Sequence, residues 1–531
     1  MRQEVGDGRP LMSLSASDRE MYGIPSYLAR DWLALLCVFD VAYFRRMWVV
    51  QEVVVSRTVD VMCGHDGCTW DELIAAISAC IDLQLGRPYD VGMTMPIMAT
   101  ARARKFYSCG LRWGLLELLV RHRGFESTDQ RDKVFALLGL VEDDQLARLG
   151  VKPNYEKGCT VADAYVDLAR RVLEASGRLD LLSVSAPVPL AQGARGVELD
   201  LPSWVPDWSR PAATDSLVEF AFPDLAEMLV KIPEAVERLT EPSGAGDVGE
   251  AERSSAWRSQ HPVVFAAAAS SPCRILFDEL GGRGEGLRLV VDGYVVDVVE
   301  RVGMAAVDAG SVVTHGQLMA SKSLWELLST IPRMVRVGVA ENALVWMDWE
   351  DVAQLATREQ YVTGEAMRDV YWRTFLAGHV KQDREEWTRE RDSWEALVAG
   401  YRGPVRLGLQ RSGTMYVLAL GAALLFGMAR QLTRWAAGEA PLPSVVLANP
   451  DGPSGRKMVG RRMFSTQNGY IGLGPPTMQS GDSIVLCKGG SVPYVLRKGR
   501  DGYKLAGECY VHGVMEGEMF DEKRCREIWI I

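Results

Sequence analysis

The polar residues with the most chemical potential lie together early in the chain: Arg45, Arg46, Trp48, Gln51 and Glu52. On a helix, Trp48 and Glu52 are i,i+4 neighbours and share a face with Arg45, so an Arg–carboxylate pair beside an aromatic ring is one possible product of this spacing. A glutamate held in a cleft with a raised pKa could serve as a general acid or base. The same residues have an architectural reading, in which Gln51 and Glu52 brace neighbouring backbone and Trp48 packs in a core. That second reading is favoured. Cys63-Gly-His65-Asp-Gly-Cys68 carries zinc-ligand types, but a tetrahedral site needs four ligands and no second Cys/His pair follows at finger spacing. A strand end, a turn at Asp66-Gly67 and a helix cap account for all six residues, and no metal is expected.

Other chemistries find less support. There is no Gly-x-Ser-x-Gly, and the six histidines (65, 122, 261, 315, 379 and 512) are scattered. His512, in Tyr510-Val-His-Gly513, falls at a strand end and reads as a structural hydrogen-bonding group. Gly-Gly-Arg-Gly-Glu-Gly (281–286) leads into a strand, the wrong order for a nucleotide-binding loop. Trp204 and Trp208, with Pro202 and Pro206, read as an apolar loop clamped to a core, with Asp207 as a turn residue. No cofactor is expected, and the chain leans away from being an enzyme.

The elements that must position these residues are mainly helical at first. Asp31–Val55 suggests two short helices around Asp40, and Val59–Cys63 a strand. Thr69-Trp-Asp-Glu72 is a capping box that opens a helix to about Asp82. Further helices are expected over Leu111–His122, over Asp132–Leu138 ended by Gly139, and over Val161–Glu174, capped by Thr160 and stopped at Gly177. Leu287–Val302 reads as one or two strands. Residues 317–438 read as helical, including a charged run (381–397) whose Trp387, Trp394 and Leu397 mark a buried face. Asp482–Leu486, Val492–Leu496 and Tyr503–Glu508, joined by Gly-containing loops, read as a β-meander. The expected fold class is α+β, with mainly helical N-terminal and middle regions and a C-terminal antiparallel β-meander or small barrel. The expected divisions are 1–30, poorly ordered; 31–185, helical; 186–285, a Pro/Gly/Ala-rich connection with a linker at 241–255; 286–460, mixed and mainly helical; and 461–531, β.

Composition sets outer limits. A chain of 531 residues is long enough for several cores, and 48% hydrophobic with 24% charged residues is the balance of a folded protein. The net charge of −10 argues against a general nucleic-acid surface. The basic run Arg-Lys-Met-Val-Gly-Arg-Arg (456–462) reads as a solvated loop leading into the β block. No secretory signal is visible, and ten cysteines without paired spacing fit reduced thiols in a cytoplasmic protein; Cys37, Cys80 and Cys487 read as small core residues. The uncharged stretch 415–429 falls short of the roughly 20 residues of a spanning helix. It reads as a buried helix, so membrane association is not expected.

A series of segments carries a resemblance. Tyr43-Phe44-Arg45-Arg46-Met47-Trp48-Val49-Val50-Gln51-Glu52-Val53 is followed by Cys63-Gly64 and Trp70. Asp129-Gln-Arg-Asp-Lys-Val-Phe-Ala-Leu-Leu-Gly-Leu140 comes next, then Pro153-Asn154-Tyr155 and Leu201-Pro-Ser-Trp-Val-Pro-Asp-Trp208, and finally the Gly-Asp, Leu-Arg, Gly-Glu and Tyr-Val-His-Gly series of the C-terminal block. In this order they resemble the fungal heterokaryon-incompatibility (HET) domain proteins. The resemblance implies a protein of non-self recognition and programmed cell death. It also implies that most of the N-terminal HET domain is missing, because neither Leu-Ser-Tyr-x-Trp-Gly nor Trp-Ile-Asp-x-x-Cys-Ile-Asn-Gln occurs. The expected role is therefore a non-enzymatic interaction or regulatory protein with protein partners. The alternative is an NAD-cleaving or other hydrolytic activity related to TIR-type effectors. Arg46, Trp48, Gln51, Glu52, Arg131, Asp132 and Lys133 are the positions that match the family pattern, read as architectural.

Overall fold

The computed structural model describes residues 38–39, 41–82, 95–187, 199–218, 265–268, 271–279, 287–306, 341–378, scattered positions between 385 and 395, and 457–531. The linker at 241–255 and the apolar stretch at 415–429 lie outside them, as do Cys37, Trp394 and Leu397 and the side chain of Cys80. The described residues show the expected α+β class, helices first and a mainly antiparallel sheet last. They divide into two compact units, one running to Val161 and including Trp208–Arg210, the other holding the remainder.

The first unit is built on short helices. A 3-10 turn, Ala42–Arg45, leads into α1, Met47–Val55, whose Met47, Val49, Val50, Val53 and Val54 turn inward. With Phe39, Phe44, Trp70, Leu73, Ile77, Ile97 and Met98, Val49 and Val53 of α1 form one buried cluster. Strands β1, Asp60–Cys63, and β2, Asp66–Thr69, form a hairpin. Its turn is Gly64-His65, with Gly64 at φ +66°, so the turn expected at Asp66-Gly67 is displaced by two residues. Both of those residues pair in the ladder, opposite Cys63 and Met62. The Thr69 amide donates to Glu72 Oε2 at 2.8 Å and the Glu72 amide to Thr69 Oγ1 at 3.3 Å, which closes the capping box and starts α2, Trp70–Asp82.

Helix α3, Met95–Ser108, precedes α4, Leu115–His122. α4 begins four residues later than the apolar run suggests. The Gly114 amide donates to Glu117 Oε2 and the Leu115 amide to Gln145 Oε1, so two otherwise orphaned amides fix the helix start there. The expected helix over Asp132–Leu138 is two pieces: α5, Asp132–Phe135, and a 3-10 turn, Leu138–Leu140, that runs through Gly139. α6, Asp143–Leu149, follows, closed by a left-handed Gly150.

The second unit takes in α7, Val161–Ser176, from its second residue, with Tyr165, Leu168, Ala169, Val172 and Leu173 on its buried stripe. Its sheet is organised by one long strand. β3, Ile275–Glu279, pairs with β4, Leu287–Ala305, a single strand of 19 residues. β5, Arg462–Thr466, β6, Ile471–Gly474, and β10, Tyr510–Val511, continue from the far half of β4. β7, Ser483–Cys487, β8, Tyr494–Lys498, β9, Tyr503–Glu508, and β11, Arg526–Ile530, complete a ring, because β4 pairs with both β7 and β11. The circuit β4–β11–β9–β8–β7–β4 is a closed five-stranded barrel. All its ladders are antiparallel except the meeting of β11 and β9 at Ile530 and Tyr503. Register shifts at Val295/Asp297 and Val299/Arg301 bend β4, so that one strand can serve both the ring and its extension. Tyr294, Phe464, Met478, Ile484, Leu486 and Val495 fill the interior, and Cys487 is buried as expected. Two further helices, α8, Glu341–Val352, and α9, Met367–Phe375, belong to the same unit. Among the described residues, no helix is long and apolar enough to cross a membrane.

Candidate functional site

The family-pattern residues of the first unit separate into an inward and an outward set. Arg46 is the extended residue before α1, and its neighbours fasten that start to a second strand-like segment. The Met47 amide donates to the Glu126 carbonyl at 2.9 Å and the Glu126 amide to the Arg45 carbonyl at 2.6 Å. Arg45 forms an ion pair with Glu126, 3.3 Å away. Trp48 is 40% exposed and does not join the core, contrary to the architectural expectation for it. Helix α1 begins only at Met47, and its buried stripe is already filled by Met47, Val50 and Val54 on one flank and Val49 and Val53 on the other, leaving Trp48 on the solvent side with Arg46 and Glu52. Tyr43 is exposed on the same segment, and its phenol pKa is raised by partial burial and by the nearby Glu52 carboxylate.

Gln51 points the other way. Its side-chain amide lies against Gly139 so closely that a methyl group there would collide with it. The two motif segments, 43–53 and 129–140, thus meet at one point, where a methyl group at 139 would have to push the Gln51 amide aside. Lys133 is also turned inward: its ammonium donates to the carbonyls of Arg123, at 3.1 Å, and Phe125. Arg131 pairs with Asp129 at 2.7 Å, donates to the Cys159 carbonyl at 3.0 Å, and lies 5.1 Å over the Tyr155 ring. The Tyr155 hydroxyl donates to Asp132 at 2.6 Å. The Arg131 hydrogen bonds hold the Asp129 carboxyl below its usual range, while burial and Asp132 push the Tyr155 phenol up. An ionised Asp129 and a protonated Tyr155 brace two loops; neither is poised to exchange a proton near neutral pH.

His122 escaped sequence reasoning. It is fully buried at the end of α4, with Nδ1 2.9 Å from the Leu118 carbonyl and its ring 5.0 Å from that of Phe125. Burial brings its pKa down to about 4. The available signal was its place, four residues after Leu118 on the apolar stripe of an amphipathic helix. Cys63, His65 and Cys68 sit on the β1–β2 hairpin, with Cys63 exposed. Among the described residues, no group of three or more His, Cys, Asp or Glu could hold a metal ion.

In the barrel unit, the described cations of the basic run, Lys457, Arg461 and Arg462, bond to the chain itself and do not form a solvated loop. Arg461 is fully buried and forms an ion pair with the equally buried Glu508 at 2.6 Å. It also donates to the carbonyls of Asp215 and Lys457, while Glu508 accepts from the Leu217 amide. Lys457 donates to the Ser216 carbonyl, and Arg462 to those of Gly303 and Met478. These cations fasten residues 215–217 and the bent end of β4 to the barrel, so they offer no face to phosphate. A second polar chain runs from Glu365 Oε2 to His512 Nε2 at 2.9 Å, and from His512 Nδ1 to the Tyr510 hydroxyl at 3.0 Å. The Tyr361 hydroxyl closes it by donating to the His512 carbonyl and accepting from the Ile471 amide. Trp204, buried as expected for a clamped loop, donates its indole N–H to the Leu287 carbonyl.

Residues 453–531, which include most of this barrel, match the Het-6 β-barrel domain family. Heterokaryon incompatibility protein 6, OR allele, of Neurospora crassa is 24% identical over 423 residues, covering 76% of this chain. Over three quarters of its length the chain is thus similar to a heterokaryon-incompatibility protein, and its C-terminal part matches that family's barrel domain. It spans about half the length of that curated relative, 51%. No solved structure matches it. Arg461, Glu508 and the Tyr510–His512 pair lie within the part of the chain that matches this domain.

Proposed function

We propose that this chain is a non-enzymatic interaction or regulatory protein of the fungal incompatibility response, acting in the cytoplasm in non-self recognition and the cell death that follows it. The observation that carries this reading is the similarity to the Neurospora protein along three quarters of the chain, together with the family barrel. Two features of the side chains support it. Arg131, Lys133, Arg461 and His512 spend their hydrogen-bonding capacity on the chain's own carbonyls and carboxylates. By contrast, α1 and its approach leave Tyr43, Arg46, Trp48 and Glu52 exposed, the residue types that serve protein contacts. The described cysteines are free thiols, which suits a reducing compartment.

The test is to express the chain, and its Trp48→Ala variant, in fungal strains of opposite mating background and score growth arrest after fusion. A response that depends on the chain and is blunted by Trp48→Ala is expected. Steady turnover of NAD by the purified chain, abolished in Glu52→Ala, would overturn the non-enzymatic reading.

A further inference from the structure

Strand β3 lies on the opposite side of β4 from β11: Ile275 pairs with Val291, which also pairs with Ile528. Its inner face is covered, since Phe277 is met by the Trp204 ring at 5.5 Å and the Arg170 guanidinium at 5.4 Å. Its other backbone edge pairs with nothing among the described residues. An open edge next to a folded sheet is a template for one more strand, which soluble proteins either block or use.

The outer face beside this edge is organised in cross-strand rows. Leu276, Val290 and Trp529 are in register on β3, β4 and β11, and Leu276 and Trp529 remain 47% and 45% exposed. On one side of this row stand Arg274, Asp292 and Glu527, joined by ion pairs from Arg274 to both carboxylates. On the other stand Asp278 and Arg288, 4.0 Å apart. A second β3 laid antiparallel against the first, with Leu276 opposite Leu276, sets Arg274 of each copy against Asp278 of the other. The charges along each joined row then run Glu527, Asp292, Arg274, Asp278, Arg288, so two adjacent carboxylates are followed by strict alternation. The apolar row becomes continuous, from Trp529 through both Leu276 side chains to the second Trp529. Directly opposed opposite charges and apolar pairs are the contacts that stabilise antiparallel ladders. The register is also indifferent to phase: whichever alternate residues of β3 direct their N–H and C=O groups outward, a pairing centred on residue 276 matches them with their counterparts. A two-fold contact needs this self-complementarity.

We propose that two copies of this chain associate through β3, edge to edge and antiparallel, about an axis at Leu276. The occupant of the edge is thus a second copy, and the charge pattern Arg-Ile-Leu-Phe-Asp (274–278) selects it.

Sedimentation of the full chain at micromolar concentration should show a dimer. Leu276→Lys, which puts two ammonium groups on the axis, should weaken it by at least about tenfold in dissociation constant. In a second variant, Leu276→Cys, mild oxidation should give an interchain disulfide that peptide mass spectrometry locates between the two residues 276. A Met62→Cys control, exposed on the β1–β2 hairpin, should not cross-link in this way. A dimer that survives Leu276→Lys and yields no 276–276 link joins elsewhere and overturns the proposal. So does a chain that stays monomeric, whether its β3 amides exchange freely or are protected by another stretch of the same chain.

Discussion

His122 is held neutral inside the first unit, and acid should therefore weaken that unit by an amount that can be worked out. Its ring is fully buried on α4, and the Leu118 carbonyl fixes the proton on Nδ1. Its pKa in the folded chain is about 4, against 6.5 for an ordinary histidine. Unfolding exposes the ring, so the unfolded chain binds the extra proton first. The sign follows: the stabilisation is complete above pH 6.5 and is lost as the pH falls from there through 4. At about 1.4 kcal/mol per pH unit, the whole contribution is about 3 kcal/mol, and about 2 kcal/mol of it has gone by pH 5. His122→Gln supplies the comparison, because a glutamine amide can still donate to the Leu118 carbonyl and does not titrate. Urea unfolding of both proteins between pH 7.5 and 5 is followed at the Leu115–Phe125 peptide by pulsed hydrogen exchange, with the labelling pulse at one fixed pH. Carboxylates common to both proteins cancel in the difference. The advantage of the wild type over His122→Gln should shrink by about 2 kcal/mol across that range. A difference that stays flat would refute the burial of a neutral imidazole at this position.

Three further outcomes follow from the packing. Glu508→Gln leaves the buried Arg461 guanidinium without its counter-charge and should cost about 3–5 kcal/mol in thermal unfolding of the barrel unit; pairing Arg461→Met with Glu508→Leu should recover most of it, and a double variant as weak as the single would count against a paired buried charge. Gly139→Ala must push the Gln51 amide aside, so the two residues should couple and Gln51→Ala should remove whatever the new methyl group costs; simple additivity of the two changes in a double-mutant cycle would show that the contact is not made. Trp48→Ala removes an exposed ring and should leave the unfolding midpoint within the range of about 0.5 kcal/mol typical of surface changes, so a large loss of stability would place Trp48 in a core after all.

How far the sequence could be read depended on how near each residue's partner lies along the chain. The capping box at Thr69 and Glu72 spans three residues, and it was legible because both partners sit in one helical turn. The strands β7, β8 and β9 were legible for a similar reason, as apolar runs divided by glycine-rich loops. Arg461 was misread. A basic run beside glycine is ordinarily solvated, and nothing local indicates a carboxylate 47 residues away at Glu508 or the carbonyl of Asp215 on a different segment. The hairpin turn moved from Asp66-Gly67 to Gly64-His65 because pairing of four residues on each side outweighed the local preference of Asp-Gly for a turn. The barrel itself needed β4, whose mixed Val, Asp, Tyr and Arg sequence gives the strand but not the fact that it pairs on both sides.

The family-pattern residues now divide by what they touch, and that division bears on function. Gln51, Arg131, Asp132 and Lys133 are committed to Gly139, Asp129, Tyr155 and the Arg123 and Phe125 carbonyls, so changes there act first on folding. Arg46, Trp48 and Glu52 lie on the exposed side of α1, a helix whose buried valines already secure it. A segment that only held the fold would gain little from a tryptophan ring in solvent, since its removal costs the fold little. The same segment thus has an inward set that presses 43–53 against 129–140 and an outward set that the packing leaves exposed. Substitutions in the two sets should differ in kind, the first lowering stability and any response together, the second lowering the response while stability holds.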